Sequence, residues 1–281
     1  MIINLEKTDI PVRYTFSVDK DAKQKSKTIH SVHSNGKLNI VYRDYEDIKN
    51  AIELVFRVDE YNLKGVKEPL IFNPTKWVFD RENNNTFVRS KQNLRLIFNR
   101  YKDKNRKKEN LPSMLVAERF FFDTPNGFET SGFSNGPYFP FFINYFDIDI
   151  EKDTIIRGLK WLHIPLSIPV MTTFKCREIN EKVLDFEGWV SLDESELDNL
   201  LTKRIFREKA KPYHFSKDFV IESNIKLKVE AKTGYLSSAS FSFQFKTNDE
   251  QFTEGMSFTI NKTNSTGSFI VTGKPRIIDP Y

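Results

Sequence analysis

The stretch DIDIEKD, residues 147–153, sets Asp147, Asp149, Glu151 and Asp153 at every second position. In an extended backbone that period puts all four carboxylates on one face. Clustered oxygens there would suit a hard cation such as calcium, and a carboxylate pair could exchange protons with a substrate. The central Gly and closing Glu of an EF-hand loop are both missing. With His163 not far along the chain, Asp147 and Asp149 make the hydrolase-like set that the sequence offers. A solvated polar face opposite Ile148 and Ile150 accounts for the same pattern more simply.

The other reactive residues assemble into less. The histidines are His30, His33, His163 and His214; the first two stand three apart in a strand-like run, where alternation points them to opposite faces and away from a shared metal. Cys176 is the single cysteine, which leaves no intrachain disulfide and no CxxC, and it is expected as a small buried apolar side chain. No HExxH, GxSxG, GxGxxG or GxxxxGK[ST] motif occurs. The sequence therefore predicts no catalytic residues, no metal and no cofactor, and points to binding rather than turnover.

What would position a binding surface is a set of alternating segments. VRYTFSV places Val12, Tyr14, Phe16 and Val18 on one face, and IELVFRVDEY does the same with Ile52, Leu54, Phe56 and Val58. TIHSVHSNGKLNIVYRD contains Asn35-Gly36, which predicts a two-residue hairpin turn followed by a return strand through Leu38, Ile40 and Tyr42. KWVFD and TFVRS flank a turn at RENNN, and NLRLIFNRY fits a strand or a short helix. Alternation returns in VMTTFKCREI and KVLDFEGWVSL, then on either side of a KTGY turn. There Phe241, Phe243 and Phe245 alternate with Ser240, Ser242 and Gln244, so the rings are expected to face a core. MSFTINKTNSTGSFIV shows a further hairpin pattern. Between strands, SLDESELDNLLTKRIF has capping-box spacing at Ser191 and Glu194, and it predicts one amphipathic helix over about 192–208.

Composition agrees with a packed β protein. Of 281 residues 39% are hydrophobic and 26 are Phe, enough to fill a core without disulfide or metal staples. The net charge of +5 gathers at Arg95, Arg100, Lys102, Lys104, Arg106, Lys107 and Lys108, a run that has few interleaved aromatics and disfavours a nucleic-acid partner. The densest apolar run, YFPFFINYFDIDI, is broken by Pro140, Asn144, Asp147 and Asp149, so no membrane span is expected. The opening residues, MIINLEKTDIPVRYTF, lack a basic segment followed by an apolar run; a cytoplasmic address follows if Met1 is the native start, a periplasmic or envelope one if a leader was trimmed.

IIRGLKW, IPVMTTFKCREIN, LDFEGWV and IKLKVEAKTGYLSSASFSFQF, within 155–246, resemble in order and spacing the C-terminal part of uncharacterised Bacteroidetes envelope proteins. The shared features are a Trp after a Gly ahead of the strands and a KTG-aromatic-Leu turn in the last long hairpin. The resemblance implies a curved β-sheet of the half-barrel kind used by periplasmic lipoprotein carriers, with no assigned activity.

The expected fold is mainly β, an antiparallel curved sheet or a two-sheet half-barrel or sandwich, with a meander over 1–110 and an aromatic loop plus second meander over 111–281. The expected function is non-catalytic binding or assembly, with a protein or an apolar ligand as partner. Tyr138, Phe139, Phe141, Phe142 and Trp161 are the expected contact residues, since large rings are favoured interface anchors. A hydrolase using Asp147, Asp149 and His163, and an oligomeric structural component, are the alternatives.

Overall fold

Alternation becomes strand wherever the structure describes it. The computed structural model describes residues 1–65, 71–80, 85–89, 91–104, 148–163, 168–192, 219–247 and 252–263, with single positions between. The elements are β1 (Thr8–Gln24), β2 (Lys27–Asp44), β3 (Ala51–Leu63), β4 (Thr75–Asp80), β5 (Asn85–Arg89), α1 (Lys91–Lys104), β6 (Ile155–His163), β7 (Ile168–Ile179), β8 (Val183–Leu192), β9 (Phe219–Glu230), β10 (Leu236–Thr247) and β11 (Phe252–Lys262). The strands among the described residues all lie in one antiparallel sheet, in the order β5-β4-β3-β2-β1-β11-β10-β9-β8-β7-β6. The curved antiparallel sheet is thus present, and the two-sheet sandwich is not.

Each half of the chain is a simple meander, and the halves meet where β1 pairs with β11, from Tyr14 opposite Lys262 to Gln24 opposite Phe252. Among the described strands that seam leaves β5 and β6 at the two ends of the order although they follow one another in numbering. The chain from 90 to 154 therefore connects opposite edges of the sheet. Within it, α1 settles the ambiguity of NLRLIFNRY: Leu94 and Phe98, four apart on one helical face, are both buried. Phe98 meets Phe122 edge to face at 5.7 Å. The helix expected over 192–208 lies outside the described residues beyond Leu192, which ends β8.

The sheet curls toward its apolar face. Tyr42 on β2 and Tyr235 just before β10 are separated by three strand spacings, about 14 Å across a flat sheet. Their rings nonetheless stack at 4.9 Å. Glycines permit the bend. Gly36 sits in mid-strand on β2, opposite Phe16, and a Cβ there would overlap the Glu60 carbonyl oxygen and lie 2.9 Å from the Phe16 ring. Gly188 on β8 is opposite Phe174, whose ring would be 2.6 Å from an added Cβ. In both places a ring lies over a bare backbone, a device that kinks a sheet without losing packing.

This overturns the hairpin turn expected at Asn35-Gly36. The turn is at Lys25 and Ser26, both at positive φ (48° and 62°), as a two-residue primed turn requires. The glycine serves close approach of ring and carbonyl instead of a reversal. Gly36→Ala and Gly188→Ala are expected to lose about 1–3 kcal/mol each to overpacking, whereas Gly255→Ala, with open space around the new Cβ, is expected to leave stability unchanged. Urea midpoints for the three variants check this, and equal midpoints would remove the glycines from the account of curvature.

Candidate functional site

The feature that stands out is the continuity of one face. A single cross-strand row runs Phe16 (β1), Ile260 (β11), Ala239 (β10), Leu227 (β9), Phe186 (β8) and Cys176 (β7), every member buried. Leu38, Ile40, Phe56 and Trp77 carry the same face across β2, β3 and β4. The expected ladder belongs to it: Phe241, Phe243 and Phe245 are buried, and Phe241 stacks on Phe243 at 6.0 Å. Ser242 and Gln244 face outward and are exposed.

At one end this wall is sealed by tyrosines. The Tyr14 and Tyr42 hydroxyls share a hydrogen bond of 3.1 Å, and the Tyr145 hydroxyl donates to the Gly234 carbonyl at 3.1 Å. Tyr42 stacks on Tyr235, over whose ring the Lys262 ammonium sits at 5.2 Å while donating to both carboxylate oxygens of Glu230. Burial pushes the phenols of Tyr14, Tyr42 and Tyr145 well above their ordinary range, and that of Tyr235 up to about 12. The N-terminal segment closes over the same end: Ile3 is fully buried, and the Glu6 N–H donates to the Thr233 carbonyl.

Toward the other end the wall carries one ion pair. Lys20 continues the inward series Tyr14, Phe16, Val18, and Glu254 lies between Phe252 and Met256 on the neighbouring strand. The ammonium lies 2.6 Å from a Glu254 carboxylate oxygen, with side chains only 11% and 0% exposed. Sequence reasoning missed this pair, although a charge at an inward position of each alternating run was the available signal.

The predicted residues fare unevenly. Tyr138, Phe139, Phe141, Phe142 and Asp147 lie outside the described residues, and Trp161 stands on the edge strand β6 opposite Val170. Asp149 accepts from the Met1 ammonium at 2.6 Å. Asp153 sits past a turn at a φ of 70° and pairs with Lys175 at 2.7 Å, whose hydrogen bond holds its carboxyl below the usual range. The expected four-acid ladder is therefore not formed by its described members. His163 ends β6, about 26 Å along that strand from Ile155. No cluster of three or more potential metal ligands occurs among the described residues. His33 pairs with Asp19 on the outer face.

A groove of about 450 Å³ is lined by Arg13, Thr15, Lys37, Asn39, Asp59 and Glu60. A bulge in β3 puts Asp59 and Glu60 together there, where they meet Asn39 and Lys37.

The fold and this face define a class: an unclosed, curved antiparallel sheet with one continuous apolar side. No family model matches the chain, and no curated protein does. Among solved structures it is similar to lipovitellin, in a structure of lipid–protein interactions, at 8% identity over 92% of this chain and 26% of lipovitellin, with a TM-score of 0.41. It is also similar to a DUF1329 family protein from Desulfovibrio piger ATCC 29098, at 8% identity over 92% of this chain and 89% of the other, with a TM-score of 0.22. The chain spans about a quarter of the length of lipovitellin. At these scores neither likeness extends to a shared ligand or activity.

The tyrosine cluster makes a pH prediction with a definite sign. Each phenol has a folded pKa above its ordinary value of 10, so the folded chain holds those protons more tightly. Their contribution to stability is complete below pH 10 and is lost as pH climbs toward 12 and beyond. Urea midpoints followed from neutral pH upward should fall above pH 10; a level midpoint through pH 12 would mean solvated phenols. Cys176 is fully buried and burial raises its thiol pKa, so its labelling by a disulfide reagent should proceed only at the rate of unfolding. Rapid labelling of the native chain would contradict that.

Proposed function

We propose that this chain is a binding protein that holds an apolar ligand against the ring-lined side of its curved sheet. The observation that carries the reading is the unbroken apolar row from β1 to β7, extended through β4. From β4 to β7 the row crosses eight strand spacings, an arc of about 38 Å. An apolar wall of this extent suits contact with a flexible chain-like molecule, whose transfer from water is worth about 25 cal/mol per Å² buried.

Trp161, with Tyr138, Phe139, Phe141 and Phe142 from the segment joining the two edges, would supply contacts from outside the wall. The two meanders would act as one unit, since the wall runs through the seam between β1 and β11. A hydrolase built on Asp149 and His163 is the less favoured reading, since the Asp149 carboxylate is held by the Met1 ammonium.

Titration of the purified chain with an anthroyloxy-labelled stearate tests the proposal. Saturable binding at one probe per chain is expected, with displacement by unlabelled acyl chains and a rise in unfolding temperature as ligand is added. Failure of acyl, sterol and lysolipid probes alike to saturate would end the apolar-ligand reading.

A further inference from the structure

We propose that the buried pair Lys20–Glu254 selects the register in which β1 docks on β11, excluding a slip of two residues that the apolar side chains alone would accept.

The topology creates the need for such a device. β1 and β2 are joined by the turn at Lys25 and Ser26, and a hairpin turn fixes the register of its own two strands. No turn joins β1 to β11, whose paired residues are far apart in sequence. A slip of one residue there reverses a face and is excluded by burial. A slip of two keeps every inward side chain inward. With Phe258 in place of Met256 opposite Lys20, Val18 meets Ile260 and Ala22 meets Met256, so those contacts stay apolar. The packing of Phe16 over Gly36 does not discriminate either, because it lies between β1 and β2.

The charges do discriminate. On the inward side of β1 the order is Tyr14, Phe16, Val18, Lys20, Ala22, and on β11 it is Phe252, Glu254, Met256, Phe258, Ile260, with one charge in each run. In the observed register Lys20 stands opposite Met256 and Glu254 opposite Ala22, a diagonal across which the ammonium comes within 2.6 Å of the carboxylate. In the slipped register Glu254 would stand opposite Gln24, four residues down the ladder from Lys20 and about 13 Å away. A lysine side chain cannot bridge that distance, so each charge would enter the wall without the other.

Energetics makes the pair suited to selection. Replacing a buried ion pair by apolar side chains is often neutral or stabilising, whereas separating its members inside a protein is strongly destabilising. The two side chains here are 11% and 0% exposed. The pair is thus a weak stabiliser of the observed register and a strong penalty on the slipped one. The opposite slip, which puts Glu254 directly across from Lys20, keeps the charges together. It is opposed at the other end of the seam, where Tyr42 stacks on Tyr235 and the Thr263 N–H donates to the Arg13 carbonyl.

Cross-linking on the outer face reads the register directly. In a Cys176→Ser background, Ser17→Cys with Thr259→Cys reports the observed register, and Ser17→Cys with Asn261→Cys reports the slipped one. Each chain is refolded from urea, oxidised and mapped by mass spectrometry. With Lys20 and Glu254 in place, the 17–259 disulfide is expected to form and the 17–261 disulfide to be scarce. Lys20→Met/Glu254→Met should fold with an equal or higher urea midpoint, while its 17–261 fraction rises at least about tenfold. The exchanged pair Lys20→Glu/Glu254→Lys should restore the original pattern. An unchanged pattern in the charge-free variant overturns the proposal. So does failure of that variant to fold, which would make the pair an ordinary stabilising contact, and so does a chain with both charges that cross-links at neither position.

Discussion

The pairing of β1 with β11 is the contact on which the rest of the structure depends. Each half of the chain can form its own meander from local hairpins, but neither alone has a wall that spans more than a few strands. Eleven residue pairs, from Tyr14 with Lys262 to Gln24 with Phe252, splice the two into one sheet. The partners are more than two hundred residues apart, so the entropy of closing that loop is spent before any of the ladder forms. A topology of this kind folds late at the seam. Register there is fixed by burial: a slip of β11 by one residue against β1 would turn Phe258 and Ile260 to water and bring Thr259 and Asn261 inside.

Curvature and chemistry share a cause. Phe16 over Gly36 and Phe174 over Gly188 are ring-on-glycine pairs placed one in each half. They let the backbone bend toward the apolar side while keeping it packed, and the bend brings Tyr42 and Tyr235 together across the seam. Polar groups on the inner face then occur at defined places. The tyrosine hydroxyls and the Lys262–Glu230 pair finish one end, and Lys20 with Glu254 interrupts the wall toward the other. The outer face of the central strands carries Ser17, Ser240, Ser242, Ser257 and Thr259, whose small polar side chains contribute little beyond solubility.

Much of the fold was legible from period alone. Val12 to Val18, Ile52 to Val58 and Phe241 to Phe245 face the interior as their alternation requires, because the pleat leaves a side chain no third direction. The KTGY turn is where it was expected, with Gly234 at a φ of 71°. Asn35-Gly36 misled because a glycine that admits a positive φ and a glycine that admits a neighbouring ring look the same in one dimension. Lys25 and Ser26, which make the real turn, carry no strong turn signal. NLRLIFNRY fitted both periods over so short a run, and burial of Leu94 with Phe98 decided for helix. The acids of DIDIEKD separated because a backbone reversal near Asp153 breaks the period that would have aligned them.

The sequence by itself determined which side chains face inward, the antiparallel class of the sheet and the lack of any familiar catalytic motif, since these follow from local period and residue type. Only the tertiary structure decided that β1 and β11 are neighbours, that the two meanders make one wall, and that Lys20 and Glu254 meet within it. Those facts depend on contacts between residues far apart in the chain, and no local period encodes which distant strand will be the partner.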